Sequence, residues 1–87
     1  MSSYRSWVSD VRFIAETVAT ATGCRLRAVS LLPDIDGVRV VFKDPYSDYH
    51  VAETIDYVDT MRFESGIRVA ERLYAVAKEL MDYYEPD

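Results

Sequence analysis

The chain has 87 residues, 49% of them hydrophobic, with 10 Lys and Arg against 15 Asp and Glu and a formal net charge of −5. This length fits one compact domain and excludes a multidomain enzyme. A domain of this size has a folding free energy on the order of 4–13 kcal/mol, which leaves little to support a strained catalytic site.

The sequence predicts a soluble, cytoplasmic protein with no membrane partner. No apolar run approaches the roughly 20 residues that a bilayer span needs, and the N-terminus lacks the pattern of a secretion signal. Cys24 and His50 are the single cysteine and the single histidine, so neither an internal disulfide nor a cysteine–histidine metal site is expected. The three glycines stand apart in the chain and form no phosphate-binding loop, so no cofactor is predicted.

The first predicted element is a helix over residues 3–22. Its apolar residues recur at spacings of three and four, as on a helix with one face against a core. These residues are Tyr4, Trp7, Val8, Val11, Ile14, Ala15, Val18 and Ala21. Gly23 follows directly and is expected to end the helix.

Residues 24–32 and 38–43 are predicted to form a hairpin. The spacing of similar residues changes here to two, which is typical of strands. In the first strand one face is expected to carry Cys24, Leu26, Ala28, Ser30 and Leu32, and in the second Val38, Val40 and Phe42. Pro33 to Gly37 supply the turn, and Gly37 is free to adopt a positive φ.

A third strand is predicted over residues 49–55. The favoured pairing places Arg39 opposite Glu53 and Val41 opposite Val51 on the outer surface. A slip by one residue would turn Glu53 inward beside Val40, at the cost of burying a carboxylate.

The last predicted element is a helix over residues 57–84, and Asp56 or Asp59 is expected to cap its start. At Gly66 the helix is either broken or closely approached by another part of the backbone. The predicted fold class is therefore α+β, a two-layer αβββα domain with both helices on one face of a three-stranded antiparallel sheet. A stripe at spacings of seven would pack on the first helix or support a homodimer. The stripe consists of Val69, Val76 and Tyr83.

Catalytic and metal sites are not predicted. Asp34 to Gly37 resembles part of a calcium loop, but Leu32 and Lys43 would then occupy two ligand positions. His50 has Ser47 nearby, yet neighbouring residues of one strand point to opposite faces, so no nucleophile–base pair and no enzymatic activity are expected.

Four cations are expected on the open face of the sheet, namely Arg25, Arg27, Arg39 and Lys43. They suggest an alternative function in nucleic-acid binding, or they pair with Glu53 and the acids of the loops. The element order is similar to that of double-stranded-RNA-binding domains, but those bind through a lysine-rich start of the second helix, and residues 64–68 have a single cation. The net charge also opposes direct binding of a polyanion.

The leading prediction is a non-enzymatic module that binds a basic protein surface. Residues 34–59 carry two cations against seven acids, a charge equal to that of the whole chain. Their acids and interleaved tyrosines are expected to project from turns and form one negative patch. The predicted partner-binding residues are Asp34, Asp36, Asp44, Tyr46, Asp48, Tyr49, Asp56, Tyr57 and Asp59.

In size, acidity and approximate element order, the chain resembles some small phage-encoded inhibitors of nucleic-acid enzymes, anti-CRISPR proteins among them. The resemblance involves no residue motif. It implies a partner whose basic surface otherwise holds nucleic acid, so that the chain would act as an inhibitor or a nucleic-acid mimic.

Overall fold

The computed structural model describes residues 3–57 and 66–83, which form two helices and one antiparallel sheet. The strands lie in the order β1-β2-β3, so β2 is central. This arrangement confirms the predicted α+β class. The elements are α1 (Ser3–Thr22), β1 (Arg25–Leu32), β2 (Gly37–Lys43), β3 (His50–Asp56) and α2 (Gly66–Tyr83).

Both helices pack on the same face of the sheet, around one hydrophobic core. α1 contributes Trp7, Val11, Ala15, Val18 and Ala19, and α2 contributes Val69, Leu73, Ala77 and Leu80. The sheet contributes Val38, Val40, Phe42 and Ile55, all fully buried. These spacings of three and four in the helices and of two in β2 explain why the segments adopt their structures. Neither described helix has the length and apolar content needed to cross a bilayer.

α1 ends where the sequence predicts. Gly23 has a φ of +84°, and its N–H donates to the carbonyl oxygen of Ala19 at 2.9 Å. A left-handed residue at this position turns the chain out of the helix, and glycine adopts it without steric cost. Phe13, which lies off the apolar stripe, is 69% exposed.

A β-bulge in β1 corrects the predicted facing of this strand. Leu26 pairs with Phe42, but the next pair is Ala28 with Val41, so Arg27 is an extra residue. The bulge shifts the alternation by one residue, and Val29 and Leu31 then share a face with the core side of β2. Ala28, Ser30 and Leu32, which were expected on that face, lie on the outer side. The shift avoids placing the Ser30 hydroxyl against the core.

The favoured register of β3 is wrong, and the slipped pairing is the one observed. Glu53 lies opposite Val40, and Arg39 lies opposite Thr54. Glu53 therefore faces the helices, but its carboxylate is not left without a partner. The Arg72 guanidinium on α2 donates to its Oε2 from two nitrogens, at 3.1 and 2.6 Å, and to the Thr54 carbonyl at 3.0 Å. This ion pair offsets the desolvation that made the register seem costly.

Of the two uses predicted for the stripe of Val69, Val76 and Tyr83, packing within the chain is observed for Val69 and Val76. Val69 is 2% exposed and belongs to the core, and Val76 is half-buried against it, so the stripe serves packing within the chain. Tyr83 alone of the three is largely exposed, at 74%. The predicted start of the last helix, the Asp59 cap and the question of a break before Gly66 involve residues 58–65, outside the described part.

Candidate functional site

The predicted patch is divided between the two ends of the sheet. Successive turns of antiparallel strands lie at opposite ends, and β2 separates these two by six residue steps, or about 20 Å. That distance exceeds a Debye length of about 8–10 Å, so the charges of the two ends do not act as one patch. One end holds Asp34, Asp36 and Asp56, and the other holds Asp44, Tyr46, Asp48 and Tyr49.

The first end is formed by residues 33–36, called here the acidic turn. Pro33–Ile35 form a single 3-10 turn, and Asp36 adopts the left-handed conformation with a φ of 50°. The Asp36 N–H donates to the Pro33 carbonyl at 3.4 Å, and the Asp36 carbonyl accepts from the Tyr57 N–H at 2.9 Å. The positive φ of this turn is thus at Asp36, one residue before Gly37, and aspartate tolerates it better than most side chains.

Gly37 has a different role, because it allows close approach of β3. A Cβ atom built on it would lie 2.6 Å from the Ile55 carbonyl oxygen and 3.3 Å from the Ile35 side chain. Only glycine fits here without moving backbone. The acidic turn is therefore held by its own bonds, by Tyr57 and by a tight contact with β3.

The acidic turn presents two carboxylates with an apolar side chain between them. Asp34 and Asp36 are exposed, and neither forms an ion pair with a residue in the described ranges. Ile35 is 47% exposed, and nearby Leu31 is 57% exposed. Ile35 was missing from the predicted site, although its position between two acids in a proline- and glycine-bounded turn was a usable signal.

The second end is residues 44–49, called here the tyrosine turn, and it uses its first acid internally. Asp44 is 4% exposed, which corrects the expectation that its carboxylate projects into solvent. Its Oδ2 accepts from the Ser47 hydroxyl at 2.8 Å and from the Tyr46 N–H at 3.3 Å. Asp44 thus organises the turn, as aspartate often does through bonds to nearby backbone.

The cation beside this turn, Lys43, also forms hydrogen bonds within it. Lys43 Nζ donates to the carbonyl oxygens of Asp44 and Ser47. The exposed groups that remain are Asp48, Tyr46 at 92% exposure and Tyr49 at 53%. The Tyr49 ring meets the Tyr83 ring edge-on, with centroids 6.1 Å apart, so this end is mainly an aromatic surface.

Tyr57 lies at the acidic end but supports the core. Its ring packs edge-on against Trp7, with centroids 5.0 Å apart, and it is half-buried. The predicted role of Asp59 falls outside the described residues.

The contacts around the candidate nucleophiles are structural. The Ser47 hydroxyl donates to Asp44, and His50 Nδ1 lies 3.2 Å from the Asp48 carbonyl oxygen. Burial raises the pKa of the Cys24 thiol above its ordinary value, despite a contact of its Sγ with Thr22 Oγ1 at 3.3 Å. A raised pKa keeps the thiol protonated and poorly nucleophilic at neutral pH. Within residues 3–57 and 66–83, no three metal-ligating side chains come together.

Comparison with known proteins finds no similar family, no similar characterised protein and no similar solved structure.

Proposed function

We propose that this protein is a non-enzymatic binding module that contacts a basic protein surface through the acidic turn. The observation that carries the proposal is the exposed pair Asp34 and Asp36, without ion-pair partners among the described residues, on a turn fixed by backbone bonds. Asp44 no longer belongs to the proposed contact surface, and the tyrosine turn is separate from it.

The rigidity of the acidic turn supports a role in binding. A turn that is already ordered loses little conformational entropy when a partner docks on it. The Tyr57 bond and the close approach at Gly37 both restrain the backbone that carries the carboxylates.

The chemistry of the turn indicates the kind of partner. Two carboxylates attract arginine or lysine, and charge-assisted bonds to them are stronger than neutral ones. Ile35 lies between them and offers apolar area for an adjacent pocket. The matching surface is basic with an apolar depression. A groove that otherwise holds nucleic acid has the required charge, so the chain would block such a groove.

The test compares two charge-matched double variants. Asp34→Lys with Asp36→Lys alters the acidic turn, and Asp10→Lys with Glu16→Lys makes the same charge change at exposed sites on α1. Proteins captured from a host extract by the unaltered chain are identified and purified. Their affinities for all three forms are then measured by calorimetry, with and without the partner's own nucleic acid.

We expect the acidic-turn variant to bind at least about tenfold more weakly, because like charges across an interface are strongly unfavourable. The α1 variant should bind as the unaltered chain does, and nucleic acid should compete. Equal losses in both variants, or an unchanged affinity in the acidic-turn variant, would refute the proposed surface. Binding without competition would refute the blocking of a nucleic-acid groove.

A further inference from the structure

The outer face of the sheet, away from the helices, gathers three arginines. Arg25 lies opposite Lys43, and Arg39 lies between Ser30 and Thr54 of the neighbouring strands. The bulge places Arg27 beside Ala28, opposite Val41. In a regular strand Arg25, Arg27 and Val29 would share one face, so Arg27 could not lie outside while Val29 lies against the core. The extra residue permits both.

These arginines have no partners within the described part of the chain. Arg25, Arg27 and Arg39 are exposed, and none of their side chains forms a hydrogen bond or ion pair there. The expected pairing with Glu53 does not occur, because Glu53 faces the helices and binds Arg72. In a chain with more acids than cations, three unpaired guanidiniums on one face create a local positive potential.

The shape of this face is set by small side chains. Ala28, Val41 and Ala52 form a row across the three strands, and Ala52 is exposed. From strand spacing, the Cα atoms of Arg25 and Arg27 lie roughly 6–7 Å apart, and those of Arg27 and Arg39, on neighbouring strands, roughly 9–11 Å apart. The arginine side chains therefore line a shallow surface along which an extended polymer can bind.

We propose that this face binds the phosphate backbone of single-stranded nucleic acid, through Arg25, Arg27 and Arg39. The planar guanidinium matches phosphate geometry with paired donors and stays charged at any physiological pH. A single strand fits better than a duplex, because a duplex major groove admits a helix or a two-stranded ribbon and not the broad face of a three-stranded sheet.

The composition of the face makes the binding independent of base sequence. Its strand residues include no Phe, Tyr or Trp, and the imidazole of His50 lies at the start of β3, opposite Lys43, so base stacking contributes little and phosphates supply the affinity. The acidic residue of this face, Asp56, lies across from Gly37 at the end nearest the acidic turn. The site is separate from that turn and does not depend on its proposed function.

The experiment is a fluorescence-anisotropy titration of labelled nucleic acids of about 12 nucleotides. The single strands are oligothymidine, a mixed-sequence DNA and a mixed-sequence RNA, and a matched duplex is titrated beside them. The measurements use about 50 mM salt and a series of higher concentrations. The test variant combines Arg25→Ala, Arg27→Ala and Arg39→Ala. The control combines Arg12→Ala, Arg68→Ala and Lys78→Ala, which are exposed helix cations and give the same net charge.

We expect all single strands to bind alike, with log K falling against log salt at a slope of about −2, as for three phosphate contacts. The test variant should lose at least about tenfold in affinity and most of the slope, whereas the control keeps both. A triple Arg→Lys variant keeps the charge but not the paired donors, so it should keep the salt slope and lose less affinity than the alanine variant, which separates loss of charge from loss of fold.

Three results would overturn the proposal. These are no binding of single strands at about 50 mM salt, equal losses in the test and control variants, and duplex binding as tight as that of a single strand. The first two remove the site, and the third removes the choice of ligand. None of them bears on the acidic turn, whose test uses a protein partner and a different pair of residues.

Discussion

The two turns of the sheet contain similar residues and use them in opposite ways. In the acidic turn, Asp34 and Asp36 point into solvent while backbone bonds to Pro33 and Tyr57 hold the chain. In the tyrosine turn, the Asp44 carboxylate is buried and itself binds the loop. A turn held by its backbone leaves its carboxylates available to a partner, whereas a turn held by a carboxylate does not.

The largest expected effect comes from adding a side chain at Gly37, where β2 and β3 approach each other closely beneath the acidic turn. Gly37→Ala would bring a Cβ to 2.6 Å from the Ile55 carbonyl oxygen, so β2 and β3 must separate. We expect a loss of about 3 kcal/mol in the free energy of unfolding, measured with urea. Gly66→Ala is the control, because a Cβ there meets nothing within 4 Å and alanine favours a helix. Similar losses in both variants would contradict the proposed role of Gly37.

The second prediction compares one acid from each turn. Asp44→Ala removes the acceptor of the Ser47 hydroxyl and the Tyr46 N–H, and should cost about 2 kcal/mol. Asp34→Ala makes the same charge change at an exposed site and should leave the free energy of unfolding unchanged within error. If chemical denaturation gave equal values for the two variants, the distinction between the turns would fail.

A third prediction extends the distinction to an acid on a strand. Arg72→Ala releases Glu53 and the Thr54 carbonyl, and should cost about 1 kcal/mol, since the Arg72 side chain is 46% exposed. Lys78→Ala breaks a pair with Asp82 that is 3.6 Å long and exposed on both sides, and should have no measurable effect. Equal effects of Lys78→Ala and Arg72→Ala on the free energy of unfolding, measured with urea, would contradict this difference between the two ion pairs.

The smallest effect concerns pH at the end of the sheet near the tyrosine turn. Burial raises the pKa of Cys24 in the folded protein, so folding favours the neutral thiol. This contribution is complete below the unfolded-state pKa of about 8.5 and is lost as the pH rises through the folded-state pKa. The free energy of unfolding should therefore decline more steeply above about pH 9 in the unaltered chain than in Cys24→Ala. Identical pH profiles, or rapid alkylation of the folded protein at neutral pH, would contradict this.

The helices and the hairpin could be predicted because their signals are local. The spacing of Trp7, Val11 and Val18 defines one helix face, and Gly23 supplies its end within the same segment. Alternation in β2 likewise identifies Val38, Val40 and Phe42 as core residues. Each of these features depends on neighbours a few positions away in the chain.

The register of β3 could not be predicted in this way. Its cost depends on Arg72, which lies 19 positions beyond Glu53 and meets it only after α2 has packed. The burial of Asp44 was missed because a turn aspartate that bonds its own loop has the same sequence pattern as an exposed one. The bulge at Arg27 likewise follows from competition between the two faces of one strand.

The division of the predicted patch could have been foreseen. Once two hairpins were predicted, their turns had to lie at opposite ends of β2, whatever the identity of the residues. Charge summed along residues 34–59 ignores this alternation. For small antiparallel domains, charge is better summed over alternate turns.

The bulge in β1 also acts against aggregation through the edge of the sheet. β1 is an edge of the sheet, and a straight edge of unpaired N–H and C=O groups invites strand addition by another molecule. The extra residue, Arg27, interrupts the regular spacing of those groups near the start of the edge strand. Its charged side chain, with that of Arg25, repels the same edge of a second copy. One inserted arginine thereby discourages fibre-like stacking at high concentration.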